Sequence, residues 1–325
     1  MKRSIFGILA AAIALAGCGG ASIAPVGPAP GGLSAARSRL HGTEVSHRFG
    51  QGIYVSVFFD SQIFGYPINN RRDRPPECSV GGVSYLGDIA VDGNGNLIVP
   101  DGGSRTVIIF KGPKMCGPKL GSFTDPYGEP GDAAGNDAAS GPIAVATADT
   151  SGAGSIAVCT LSGGCTKNLT NPNMGGVAGV AMAKNGDCWG SATSSTGTAT
   201  LTYFKRCAGA GQAATGFKNA YYGGLDIDIH GNLVSIDAFA PALWIYRGCN
   251  PACTVVGGPF PLHGDAVFGH LNEKSTEFAA ADYACGCVDV YGRNTSGVVY
   301  KYSFNNGLGV SEDVEGVAYN PRSKE

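Results

Sequence analysis

Apolar residues recur along this chain in short runs broken by glycine and asparagine, and the runs come in a repeating order. Gly87-Asp88-Ile89-Ala90-Val91-Asp92 passes through Gly93-Asn94-Gly95-Asn96 into Leu97-Ile98-Val99, and a third run spans Thr106 to Phe110. The same order returns at Gly224-Leu225-Asp226-Ile227-Asp228, His230-Gly231-Asn232, Leu233 to Ile236 and Ala242 to Tyr246. A third copy runs from Gly179 to Met182, through Asn185-Gly186-Asp187, into Cys188 and on to Thr200 to Phe204. Two looser copies begin at Gly131-Asp132-Ala133-Ala134 and at Asp265 to Gly269. Short runs bounded by turn residues predict strands and hairpins rather than helices.

The copies are spaced by roughly 45 residues, with room for about four short strands in each, which is the spacing of propeller blades. Ile53 to Phe58, Gln62 to Pro67 and Glu77 to Val80 supply the later strands of a unit that lacks its first. Glu315 to Pro321 reads as that missing strand. The prediction is an all-β, six-bladed β-propeller with four-stranded blades, closed by N- and C-terminal strands so that no sheet edge is left open.

The segments 88–99 and 225–234 resemble the repeats of six-bladed propellers of the NHL and gluconolactonase-like (senescence marker protein) families. The family repeat continues into Ala-Asp and a basic residue, of which Pro100-Asp101 and Ile236-Asp237 keep part. In the lactonases, the resemblance implies a metal held by acidic and asparagine side chains, including a glutamate near the start of the first blade. Glu44 is the only candidate there, and its surroundings read as linker.

The first residues follow a different pattern. Lys2 and Arg3 precede an apolar run from Ile5 to Leu15, too short to span a bilayer, and Leu15-Ala16-Gly17-Cys18 closes it. This tetrad resembles the lipobox of bacterial lipoproteins, which implies cleavage before Cys18 and acylation of its thiol. The expected organisation is a signal peptide over 1–17, a lipid-anchored flexible tether over 18–50 and the propeller over 51–325. The expected location is the bacterial cell envelope, with the outer membrane favoured by Gly19 where an inner-membrane retention signal would place aspartate.

The remaining ten cysteines suit an oxidising compartment. Antiparallel geometry predicts Cys188–Cys207, the third-to-fourth-strand turns are bracketed by Cys159–Cys165 and Cys249–Cys253, and Cys78–Cys116 would join the outer regions of two consecutive blades, with Cys285 and Cys287 as a labile pair. Their spacing does not match zinc. A charged fraction of 15% and a formal charge of −2 give no basic field for nucleic acid. Asn168-Leu169-Thr170 and Asn294-Thr295-Ser296 match a glycosylation pattern and are read as turns.

Candidate binding residues gather where inner strands begin. Asp88, Asp132, Asp265 and Glu315 lie at or just before such strands, and Asp226 lies two positions later in its own. Converging at a tunnel mouth, these carboxylates suit a divalent cation such as calcium or a cationic ligand. The plainer reading is a solvated rim, or carboxylates bonded to backbone N–H groups. His263 and His270, near Asp265, offer an acid/base pair at the same mouth. Tyr127, Tyr221 and Tyr222 offer stacking surfaces for a saccharide or peptide. No nucleophile elbow or phosphate-binding loop is present. The reading is a monomeric, non-catalytic module that binds an envelope protein, a peptide or a saccharide and requires no cofactor. The alternative is a metal-dependent hydrolase or lactonase working at the tunnel mouth.

Overall fold

The computed structural model describes residues 52–58, 61–136, 138–149, 153–194, 197–294, 297–308 and 314–320. The expected signal, Cys18, the tether and Pro321 lie outside these. Blade one holds β1 (Gly52–Val57), β2 (Gln62–Pro67) and β3 (Cys78–Gly81). Blade two holds β4 (Ala90–Val91), β5 (Leu97–Asp101), β6 (Thr106–Phe110) and β7 (Lys119–Thr124). Blade three follows with β8 (Glu129–Gly135), β9 (Ile143–Ala148), β10 (Gly154–Thr160) and β11 (Gly164–Leu169). Blade four has β12 (Gly176–Met182), β13 (Cys188–Thr193), β14 (Ala199–Phe204) and β15 (Gln212–Ala213). Blade five has β16 (Leu225–Ile227), β17 (Leu233–Asp237), β18 (Ala242–Arg247) and β19 (Thr254–Pro261). Blade six has β20 (Ala266–Leu271), β21 (Glu277–Asp282), β22 (Cys287–Asn294) and β23 (Gly297–Phe304), and β24 (Val314–Asn320) returns to blade one.

All six sheets are four-stranded, and every strand pairing in them is antiparallel. The predicted six-bladed propeller is therefore present, and it closes as expected: β24 pairs with β1 from Gly52↔Asn320 to Ser56↔Gly316. Among the described residues, no helix is long and apolar enough to cross a membrane.

The Asn-Gly turns have a local cause. Gly95, Gly186 and Gly231 occupy equivalent turn positions with φ of 81°, 87° and 77°, a region that side-chain-bearing residues disfavour. Asp92 fixes one such turn by accepting from the backbone N–H of Asn94 and Asn96 and from the Asn96 amide, and Asp228 does the same with His230 and Asn232. At the other end of the second strand, Asp101 and Asp237 accept from backbone N–H groups of the loops that lead into the inner strands.

The core lies between neighbouring sheets. Tyr66 and Phe304 meet between blades one and six, with ring centroids 4.8 Å apart. Trp189 and Tyr246 fill the space between blades four and five. Full burial of a side chain of this size stabilises by roughly 2–3 kcal/mol. Tyr246 is fully buried beside a half-buried Trp244, as strand alternation predicts. All five disulfides form as expected: Cys78–Cys116, Cys159–Cys165, Cys188–Cys207, Cys249–Cys253 and Cys285–Cys287. One local expectation fails. Asn168 is not in a turn but in β11, opposite Ala157, because the preceding turn is tightened around Gly164.

Candidate functional site

The sheet registers align the six inner strands and show which side chains share a level of the central tunnel. Two residues before each turn stand Ala90, Ala134, Ala181, Asp226, His270 and Ala318. Two residues earlier stand Asp88, Asp132, Gly179, Gly224, Phe268 and Gly316. Alanine in four blades of the first level leaves room for the His270 imidazole. At the second level, a Cβ on Gly316 would come within 2.6 Å of Asp88 Oδ1, so glycine is required for that carboxylate to fit.

His270 bridges carboxylates from two other blades. Its Nε2 lies 3.3 Å from Asp88 Oδ2 and its Nδ1 3.5 Å from Asp226 Oδ2. The carboxylates also serve the backbone. Asp132 accepts from Ala133 N–H at 2.6 Å and from Val180 N–H of the next blade at 2.7 Å. Asp226 accepts from Ile227 N–H and, across to blade six, from Leu271 N–H, both at 2.7 Å. Asp88 Oδ1 accepts from Ile89 N–H at 2.9 Å. Both oxygens of Asp132 and of Asp226 are thus committed, while Asp88 Oδ2 and His270 Nε2 face each other with no aligned hydrogen bond.

Burial alone would lower the His270 pKa, but the charges of Asp88 and Asp226 outweigh it and hold the imidazole well above its ordinary range. Asp88 is pushed up by burial, against the pull of His270. Burial and then the Asp88 charge push Asp132 well above the usual carboxylate range. The two neighbouring carboxyl groups thus favour the protonated form of His270. Calcium takes six to eight oxygens, and of the Asp88, Asp132 and Asp226 carboxylate oxygens only Asp88 Oδ2 lacks a hydrogen bond, so the set does not fit calcium.

The other predicted residues are placed elsewhere. His263 is not with His270. It stands with its side chain 56% exposed, its Nδ1 4.0 Å from Asp289 and its ring 4.3 Å from that of Tyr300. Asp265 is exposed, and its backbone N–H donates to Asp282. Strand β20 separates both from His270, so no His263–His270–Asp265 group forms. Tyr221 and Tyr222 meet with their rings tilted by 31° and centroids 4.3 Å apart. Burial raises the Tyr222 hydroxyl pKa, and Tyr221 and Glu315 add to this, which places Glu315 beside the pair. Tyr127 is half-buried against the core between blades two and three. These tyrosines and Glu315 belong to the tunnel end opposite the Asn-Gly turns, where Phe239 is also 75% exposed.

At the turn end, a cavity of about 860 Å³ opens over the tunnel and reaches down to Asp226. Trp189, Lys184, Ile229 and Glu273 contribute to its wall, with Ile229 61% exposed. Asp92, Asp187 and Asp228 also line it, but their carboxylates are occupied in holding the turns.

No family model and no curated protein matches this chain. Its likeness is to solved propellers. A chain of a nidogen/laminin complex aligns over 83% of this chain and 98% of its own, with 10% identity and a TM-score of 0.65. A protein of unknown function from Bacteroides caccae aligns over 83% and 98%, with 11% identity and a TM-score of 0.55. A functionally unknown protein from Desulfotomaculum acetoxidans aligns over 82% and 83%, with 14% identity and a TM-score of 0.54. At these identities the likeness is one of fold.

Proposed function

We propose that this chain is a binding module of the bacterial cell envelope, anchored through acylated Cys18, that takes a protein segment into the cavity at the turn end of its tunnel. The observation that carries this reading is that cavity: about 860 Å³, with Asp226 at its base and the exposed Ile229 at its wall. An apolar anchor beside the Glu273 carboxylate suits a peptide with one apolar and one basic side chain. The nidogen/laminin structure supports protein binding by this fold as a precedent only. The hydrolase alternative loses support because His270 already stands where a cation would neutralise Asp88 and Asp226.

The test is a display selection of peptides against the oxidised domain, followed by calorimetry. Ile229→Asp together with Glu273→Lys should weaken the selected peptides by about tenfold or more, in line with the loss of an interface anchor. Phe239→Ala, on the opposite end, should leave their affinity unchanged. Equal binding by wild type and the Ile229/Glu273 variant would place the site elsewhere.

A further inference from the structure

The five disulfides are not equivalent. The cysteines of the other four bonds are buried or half-buried, whereas Cys285 is exposed and its partner Cys287 is only 5% exposed. The sequence separations are 38, 6, 19 and 4 for the first four and 2 for Cys285–Cys287. Disulfide stabilisation grows with the loop closed, so this bond contributes least to holding the fold. It sits in the loop between β21 and β22, at the end of the propeller opposite the cavity.

Its surroundings supply proton chemistry. The Asp282 carboxylate and the two sulfurs lie within 4.8 Å of one another. Asp289 Oδ1 lies 3.9 Å from Cys287 Sγ, and its other oxygen is 4.0 Å from His263 Nδ1 and 3.3 Å from the Tyr291 hydroxyl. The Ser303 hydroxyl also donates to Asp289. A buried thiolate next to two carboxylates is a poor leaving group unless it is protonated as it departs.

We propose that Cys285–Cys287 is a redox-active disulfide that exchanges with protein dithiols, with Cys285 as the attacked sulfur and Asp289 as the proton donor to Cys287. A thiolate of the dithiol attacks Cys285 Sγ. The Cys285–Cys287 bond breaks, its electron pair passes to Cys287 Sγ, and Asp289 supplies the proton. The second thiol of the partner then attacks its own sulfur in the mixed disulfide and releases Cys285, which is protonated from solvent. The partner dithiol is oxidised to a disulfide, the Cys285/Cys287 pair is reduced by two electrons, and Asp289 regains its proton from water. Burial raises the Asp289 pKa against the Ser303 hydrogen bond, and the neighbouring Asp282 charge adds to the rise.

The experiment equilibrates the oxidised domain in glutathione buffers of graded ratio, alkylates free thiols and maps them by mass. Cys285 and Cys287 should be labelled first, reversibly, while the other eight cysteines stay blocked. Opening of any other pair first, or at the same ratio, would overturn the proposal. A peptide dithiol should be oxidised stoichiometrically by the wild type and not by a Cys285→Ser/Cys287→Ser variant with an unchanged melt. General acids typically contribute a hundredfold or more, so Asp289→Asn should slow reduction of this bond by at least about tenfold at neutral pH. An unchanged rate in a folded Asp289→Asn protein would remove Asp289 from the mechanism, and an equal rate of peptide oxidation by the double serine variant would refute the exchange itself.

Discussion

Replacing His270 with alanine removes the one positive charge identified between Asp88 and Asp226. At 3.3 Å and an effective dielectric of about 20, the His270–Asp88 attraction is worth roughly 5 kcal/mol before desolvation is subtracted. Without it, Asp88, which is fully buried, does not stay charged: it takes up a proton. Holding a carboxyl neutral at pH 7, about three units above its ordinary pKa, costs about 4 kcal/mol at 1.36 kcal/mol per unit. That lies within the 3–5 kcal/mol typical of breaking a buried pair and corresponds to a fall in Tm of about 10 °C. The cost depends on pH. At pH 4.5 the same protonation costs about 1 kcal/mol, so the variant's deficit should shrink to that plus the lost packing. The wild type also loses stability as pH rises, through its own groups. His270 has a raised pKa, so its contribution is complete below the unfolded value near 6.5 and is lost as pH rises through the folded value. The raised carboxyls Asp88 and Asp132 add a loss of the same sign above about pH 4. Urea denaturation of both proteins at pH 4.5 and 7 measures the difference. Equal deficits at the two pH values, or a deficit below about 1 kcal/mol at pH 7, would refute the charge-pair reasoning.

Three other predictions rest on separate contacts. Deleting the chain from Val314 onward removes the inner strand of blade one and exposes the edges it pairs; the product should be insoluble or lose its cooperative melt, and an unchanged melt would contradict closure. Arg293 Nη2 holds Asp228 at 2.7 Å across blades five and six, so Arg293→Met should cost about 2 kcal/mol at pH 7 by chemical denaturation. Arg293 and Asn232 outweigh burial and lower the Asp228 pKa, so this contribution is present above pH 4 or so and lost as pH falls through the folded value; a deficit that persists undiminished at pH 2 would contradict it. Cys18→Ser should release the protein from washed membranes, and wild-type protein should carry a lipid mass increment; retention of the serine variant would overturn the anchor.

The blades were legible because each inner strand ends in a turn with its own signature. Asp92-Gly93-Asn94-Gly95-Asn96 and Asp228-Ile229-His230-Gly231-Asn232 mark the register of two sheets within a few residues. The disulfides were legible for the same reason, since antiparallel strands oppose the start of one to the end of the next. The tunnel pairing was only half legible. Counting back from the turn separated Asp226 from Asp88, and the same count from Asn272 puts His270 level with Asp226. Chain proximity instead grouped His270 with His263 and Asp265, although β20 carries them to opposite ends of a strand. The cavity had no sequence signal, because its walls come from turns of several blades whose residues are individually ordinary.

The account's central claim is that a protein segment binds at the turn end of the tunnel. Hydrogen–deuterium exchange of the oxidised domain, with and without a display-selected peptide, tests it most directly. The account predicts slowed exchange in the turns 183–187, 228–232 and 272–276 and no change at 238–241. Protection confined to 238–241 and the loop carrying Tyr221 and Tyr222, with the three turns unaffected, would contradict it.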